Sequence, residues 1–206
     1  MFLLSPARCS GPRAAQLVHS SEALGLALRS EQGAQLGQVF AFLSSLYFRG
    51  KLNYASRFGA QGLAAPGALV ITPGHGLCRP STPLRAHELH AIGRIEVDAE
   101  NLAFVEPLLR DAALLARAIS GEAEVVLLGS IATPKYVEPL LSVFGERLLF
   151  PREFVGRGDM SRGGLMLRAA REGNELAYAP VQGSLRSGPR ARRVAELRLD
   201  EPDEEP

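Results

Sequence analysis

Only two of the 206 residues are cysteines, Cys9 and Cys78, and neither belongs to a CxxC pair. A disulfide framework or a structural zinc site therefore has no support, and a reducing, cytoplasmic location is expected. No grouping of His, Cys and Asp has metal-ligand spacing, so neither a metal nor a cofactor is expected. No apolar run approaches the roughly 18 residues that cross a bilayer, and no membrane partner is expected. The first residues, Met1-Phe-Leu-Leu-Ser-Pro-Ala-Arg-Cys9, lack a basic leader, and their apolar run is too short for a signal peptide. They read as a first strand. The GxxxxGK[ST] phosphate loop is missing, and nothing repeats internally. Lysine is almost missing as well: there are two, Lys51 and Lys135, against 21 arginines, the usage of a GC-rich bacterial genome.

What is present suits one soluble globular domain over residues 1–188. Hydrophobic residues make up 46% of the chain and the mean hydropathy is +0.03. The end of the chain, 189–206, closes on acidic and proline residues and is expected to be a disordered tail. Net charge is +1, but it is uneven: ten arginines stand against four acids between Arg147 and Arg193. That basic third suits a phosphate-bearing small molecule or nucleic acid, or else is a solvated face with no partner.

Hydrophobic spacing and breakers predict the order of elements. Residues 1–4 form a strand, and Pro12 opens a helix to about His19. A second helix runs from Ser21 or Glu22 to Arg29. A long helix over Leu36–Phe58 has Gly50 as its point of interruption. Ala68–Thr72 and Glu124–Leu128 are buried strands. Helices run from Pro107 to Ile119 and from Pro134 to Phe144. Leu148–Phe150 is a strand, Ser161–Arg171 a helix, and Leu176–Val181 a last extended piece. Gly59–Gly67 is a loop, and residues 81–101 resist assignment. Alternating strands and helices imply an α/β fold: three layers, with a mostly parallel four- or five-stranded sheet and helices on both faces.

In such a sheet ligands bind beyond the carboxyl ends of the strands. Four loops meet that test: Ser5–Gly11, Pro73–Cys78, Gly129–Lys135 and Pro151–Arg162. In the second, His75 between Gly74 and Gly76 is the candidate catalytic group, an imidazole able to donate a proton or polarise a carbonyl; the alternative is a surface histidine in a turn. In the third, Ser130 and Lys135 are candidates for phosphate or sugar, while Thr133 reads as a helix cap. In the fourth, Gly156, Arg157, Gly158, Asp159, Ser161 and Arg162 form a glycine-rich turn ahead of a helix, a pattern that holds anions. Asp159 and Ser161 are also cap candidates there. Helical spacing puts Tyr47, Gly50, Lys51 and Tyr54 on one face, either a stacking and cation surface or a core face.

Four segments carry a resemblance: Leu3-Leu-Ser-Pro-Ala-Arg-Cys9, Leu46-Tyr-Phe-Arg-Gly-Lys-Leu-Asn-Tyr-Ala55, Val70-Ile-Thr-Pro-Gly-His-Gly-Leu77 and Gly156-Arg-Gly-Asp-Met-Ser-Arg-Gly163. They resemble a group of bacterial proteins with no assigned activity. More remotely they are similar to small α/β domains of the YaaA-like and uracil-DNA-glycosylase-like kind. The resemblance covers most of residues 1–170, implies the α/β fold and puts His75 in the site. Ser5-Pro-Ala-Arg-Cys9 departs from the Ser-Cys-Gly start of those domains, and the glycosylase motifs are not recognisable, so no activity carries over. The expected function is nucleotide- or nucleic-acid-directed, at a base or a glycosidic bond. The alternative is a non-catalytic anion- or nucleotide-binding module in a larger modification or defence assembly.

Overall fold

A computed structural model of the chain describes residues 1–59, 67–119 and 121–184. The expected tail and most of the Gly59–Gly67 loop lie outside the described residues. In order, the elements are β1 (Phe2–Leu4), α1 (Pro12–His19), α2 (Ala23–Arg29), β2 (Ala34–Gln35), α3 (Leu36–Ser44) and α4 (Leu46–Phe58). There follow β3 (Ala68–Thr72), β4 (Gly76–Cys78), β5 (Pro83–Leu84), α5 (Ala86–Gly93), α6 (Leu102–Ala118) and β6 (Val125–Leu128). The chain continues through α7 (Pro134–Phe144), β7 (Leu148–Pro151), α8 (Asp159–Glu172) and β8 (Tyr178–Pro180). Among the described residues no helix is long and apolar enough to cross a membrane.

The main sheet has six strands in the order β4-β3-β1-β6-β7-β8. The four inner strands are parallel to their neighbours, and β4 and β8 join antiparallel at the two edges. The sequence predicts four or five strands because β4 hides inside what reads as a loop. Pro73-Gly-His-Gly is a hairpin turn, and Gly76–Cys78 returns along β3. A separate two-stranded ribbon pairs β2 with β5. The central strands read as continuous hydrophobic runs because they are covered throughout: Leu3, Leu4, Val125, Leu127 and Leu128 are all fully buried.

The predicted long helix is two helices, and the break falls at Ser45 rather than Gly50. Ser45 takes φ 50°, a conformation uncommon for a side chain other than glycine. Gly50 stays helical because α8 crosses it at backbone contact. A Cβ on Gly50 would stand 2.7 Å from the Gly163 carbonyl oxygen, and one on Gly163 would stand 2.8 Å from that of Leu46. α6 also begins earlier than Pro107, at Leu102, where the Asn101 side chain accepts the Ala103 N–H at 3.2 Å. By contact the larger helices pair as α4 with α8 and α6 with α7.

The connection from β1 leads to β3 on one side, and that from β6 leads to β7 on the other. β1 and β6 are themselves neighbours. Their carboxyl ends therefore form a topological switch point, where the two outgoing loops part and leave a crevice.

Candidate functional site

β1 delivers Ser5 to this switch point and β6 delivers Gly129 and Ser130. Ser5 is 3% exposed, and its N–H bonds the Leu128 carbonyl at 3.2 Å. Gly129 keeps the two loops in contact, since a Cβ there would lie 2.8 Å from Ser5 Cβ and 3.3 Å from Tyr136 Cε2. Tyr136, in the first turn of α7, turns its hydroxyl toward the Ser5 hydroxyl and the Ser130 amide. Burial raises its pKa, while those two hydrogen bonds pull the other way.

Beneath these loops α4 places Lys51. It is 1% exposed, and no carboxylate pairs with it in an ion pair among the described residues. Its Nζ donates to Ser5 Oγ at 2.7 Å and to the Ser5 carbonyl at 3.0 Å, and it stands 3.9 Å from the centre of the Tyr47 ring. An ammonium in such a place loses its hydration and regains only part of it from a hydroxyl, a carbonyl and a ring face. Burial therefore lowers the Lys51 pKa to about 7, with the Asp159 charge opposing and that of Arg162 assisting. The Tyr47 hydroxyl is buried with no hydrogen-bond partner among the described residues, and burial pushes its pKa up. The face Tyr47, Gly50, Lys51 and Tyr54 is thus interior, not a stacking surface.

Above Tyr136 opens a crevice of about 610 Å³. Arg8, Arg94 and Lys135 bring cations to its wall, Glu96 brings one carboxylate, and Cys9 and Pro73 add apolar surface. Burial pushes the Cys9 thiol up to about 12, which makes it an inert wall rather than a nucleophile. A second, more apolar cavity of about 400 Å³ adjoins, sharing Cys9, Ser10, Gly93 and Arg94.

The predicted site residues divide. Lys135 is exposed in the crevice wall. Ser130 contributes its amide to Tyr136, and its Oγ accepts the Ala132 N–H at 3.3 Å. Thr133 is the cap residue of α7, but its hydroxyl makes no capping bond. His75 is exposed at the tip of the β3–β4 hairpin, its side chain in no hydrogen bond among the described residues, and it does not line the crevice. Gly74 and Gly76 have φ 78° and 73°, which the hairpin turn requires. Gly76 also admits α6, whose Asp111 carboxylate accepts the Leu77 N–H at 2.9 Å.

The glycine-rich turn is largely self-satisfied. Arg162 is 8% exposed, donates to the Phe154 carbonyl at 3.1 Å and reaches the Asp159 carboxylate at 3.4 Å. Arg157 donates to the Ser161 hydroxyl at 3.1 Å. Gly156 takes φ 72°, and Gly158 is the cap residue of α8, so neither Asp159 nor Ser161 caps that helix.

Lys51, Tyr136, Arg8 and Arg94 were not among the predicted site residues. The signal for Lys51 was its rarity, one of two lysines, on a helix face otherwise aromatic. Segments 3–9 and 46–55 meet at the Ser5–Lys51 bond. No family model, no curated protein and no solved structure matches the chain.

Proposed function

We propose that the chain binds a phosphate-bearing small molecule, a nucleotide rather than a nucleic-acid strand, in the crevice between the β1 and β6 loops. The observation that carries this reading is the gathering of Arg8, Arg94 and Lys135 around one concave site at the switch point. Guanidinium groups match phosphate oxygens, and the crevice volume of about 610 Å³ falls within the roughly 300–1,000 Å³ common for small-molecule sites. A strand of nucleic acid calls instead for an extended basic groove. The adjoining apolar cavity suits a base or another flat, weakly polar group. Chemistry at the base or at its glycosidic bond belongs to the Tyr136 side of the crevice rather than to the glycine-rich turn, whose Arg162 is already occupied.

Thermal unfolding with AMP, adenosine and a short single-stranded DNA tests this. AMP at a hundredfold excess over its Kd should stabilise the fold by about 2.7 kcal/mol, adenosine far less. The double variant Arg94→Ala, Lys135→Ala should weaken AMP binding by at least about tenfold. Equal stabilisation by AMP and adenosine would remove the phosphate from the reading. Steep salt dependence with DNA as the better ligand would favour a nucleic-acid partner. Once a turnover assay exists, loss of activity in His75→Ala but not in Tyr136→Phe would return the chemistry to His75.

A further inference from the structure

One serine hydroxyl stands between a buried amine and the floor of the crevice. Ser5 Oγ takes a hydrogen bond from Lys51 Nζ at 2.7 Å, and the Tyr136 hydroxyl is turned to the same Ser5 oxygen. Gly129 lets the two side chains close in on it: a Cβ there would stand 3.0 Å from Ser5 Oγ and 3.3 Å from Tyr136 Cε2. Tyr136 is the only one of the three that lines the crevice. Among the described residues the hydrogen bonds of Lys51 Nζ go to Ser5 alone, and the rings of Tyr47 and Phe48 flank it. A lysine kept only for stability would be expected to meet a carboxylate at this depth. This one meets groups that can hand a proton on.

We propose that Tyr136 transfers protons to and from the bound ligand, and that Ser5 and Lys51 are positioning residues that refill and drain it. The ligand class follows from the crevice reading, on which this part rests: a phosphate-bearing molecule with an atom that gains a proton, such as a ring nitrogen or a leaving oxygen. In the donating direction the Tyr136 O–H bond breaks and an H–X bond forms on the ligand. The freed pair on Tyr136 takes the Ser5 hydroxyl proton, Ser5 Oγ takes one from Lys51 Nζ, and the ammonium becomes an amine. One proton moves in net terms, and nothing is oxidised or reduced. The reverse sequence serves a ligand that gives up a proton. The charged and titratable groups facing Lys51 are Tyr47 on its own helix, and Asp159 and Arg162 on α8. Of these, only the Asp159 carboxylate favours the ammonium, and it is already drawn to Arg162. Burial leaves Lys51 with a pKa near 7, so both protonation states are populated at neutral pH.

The chain has only two lysines, which makes the test direct. Lysine labelled at Cε and Nζ gives two NMR signals, and Lys135→Arg assigns them. The Lys51 signal should titrate near pH 7. Its Nζ protons should exchange with water through Ser5 and Tyr136, so Tyr136→Phe and Ser5→Ala should each slow that exchange by about tenfold or more. Unchanged exchange in both variants, or a Lys51 that stays charged to about pH 10, would overturn the relay. AMP binding is read separately by calorimetry. AMP bound with exchange unaltered sinks the relay and leaves the crevice. Exchange slowed with no AMP bound sinks the nucleotide reading and leaves the relay.

Discussion

Helix α4 carries two polar clusters on one buried face, and they are built on opposite terms. At one end, Tyr54 accepts the Leu176 N–H at 2.8 Å and shares a 2.6 Å hydrogen bond with the Tyr178 hydroxyl. Tyr178 donates in turn to the Glu175 carboxylate at 2.6 Å. Every hydroxyl there has a partner, and the carboxylate reaches toward solvent. Phe2, at the start of β1, packs edge-on against both tyrosine rings. At the other end, one turn away, Lys51 has no carboxylate in ion-pair contact and the buried Tyr47 hydroxyl has no partner in hydrogen-bond geometry among the described residues. The first cluster ties helix, strand and loop together at little electrostatic cost. The second retains a charge without an ion pair and an unpaired hydroxyl, and it lies at the carboxyl ends of the strands, the edge at which open α/β sheets bind ligands. Stability accounts for one; the other is costly as mere packing and calls for a different reason.

Three substitutions can break or sharpen that contrast. The largest effect belongs to Lys51→Met. The folded value of Lys51, about 7, lies below its ordinary 10.5, so between these values the unfolded chain holds a proton that the folded chain has released. Stability should therefore rise as pH climbs through that window and be lowest below it, by about 3 kcal/mol between roughly pH 6.5 and 9.5. In Lys51→Met this slope should vanish, as read by urea unfolding at both pH values. A variant that keeps the slope would show that Lys51 is not the strained member.

Next comes Tyr54→Phe, which leaves the Leu176 N–H and the Tyr178 hydroxyl short of a partner. It should cost about 1–3 kcal/mol at any neutral pH and leave the Lys51 titration in place. A shift of that titration would mean the two clusters are coupled along α4. The smallest effect is expected from Tyr47→Phe. It deletes a buried hydroxyl with no hydrogen-bond partner among the described residues and keeps the ring under the Lys51 amine, so stability should stay level or rise by up to about 1 kcal/mol. A clear loss, measured by thermal unfolding, would reveal a partner for that hydroxyl and narrow the difference between the two ends.

Elements with punctuation at both ends were legible in the chain. Pro12 and Pro134 open α1 and α7 at the predicted residues, and Phe144 ends α7 just before Gly145. β1, β3, β6 and β7 were visible as short runs of apolar, largely branched residues. The errors arose where a breaker was present but overruled. Gly50 and Gly163 are spent on close contact between helices, so the turn falls on Ser45, a residue with no breaker signature. Pro107 is tolerated within α6, and the real start is marked by Asn101. The loop after β6 could be chosen from topology alone, and so could the one after β1. Lys51 could not, because helical spacing says which residues share a face but not whether that face meets water or protein. The burial of Arg162 was hidden for a related reason: a count of arginines describes a surface only if all of them reach it.

The Gly50–Gly163 crossing restricts the paths along which this sequence can drift. Each glycine occupies space that the other backbone fills, so a methyl group gained at either position pushes α8 off α4 before a second change can compensate. Because Asp159 and Arg162 ride on the first turn of α8, that displacement would also change the field felt by the Lys51 amine. Selection on packing and selection on the charge of one buried lysine therefore act on the same two positions, neither of which bears a functional group.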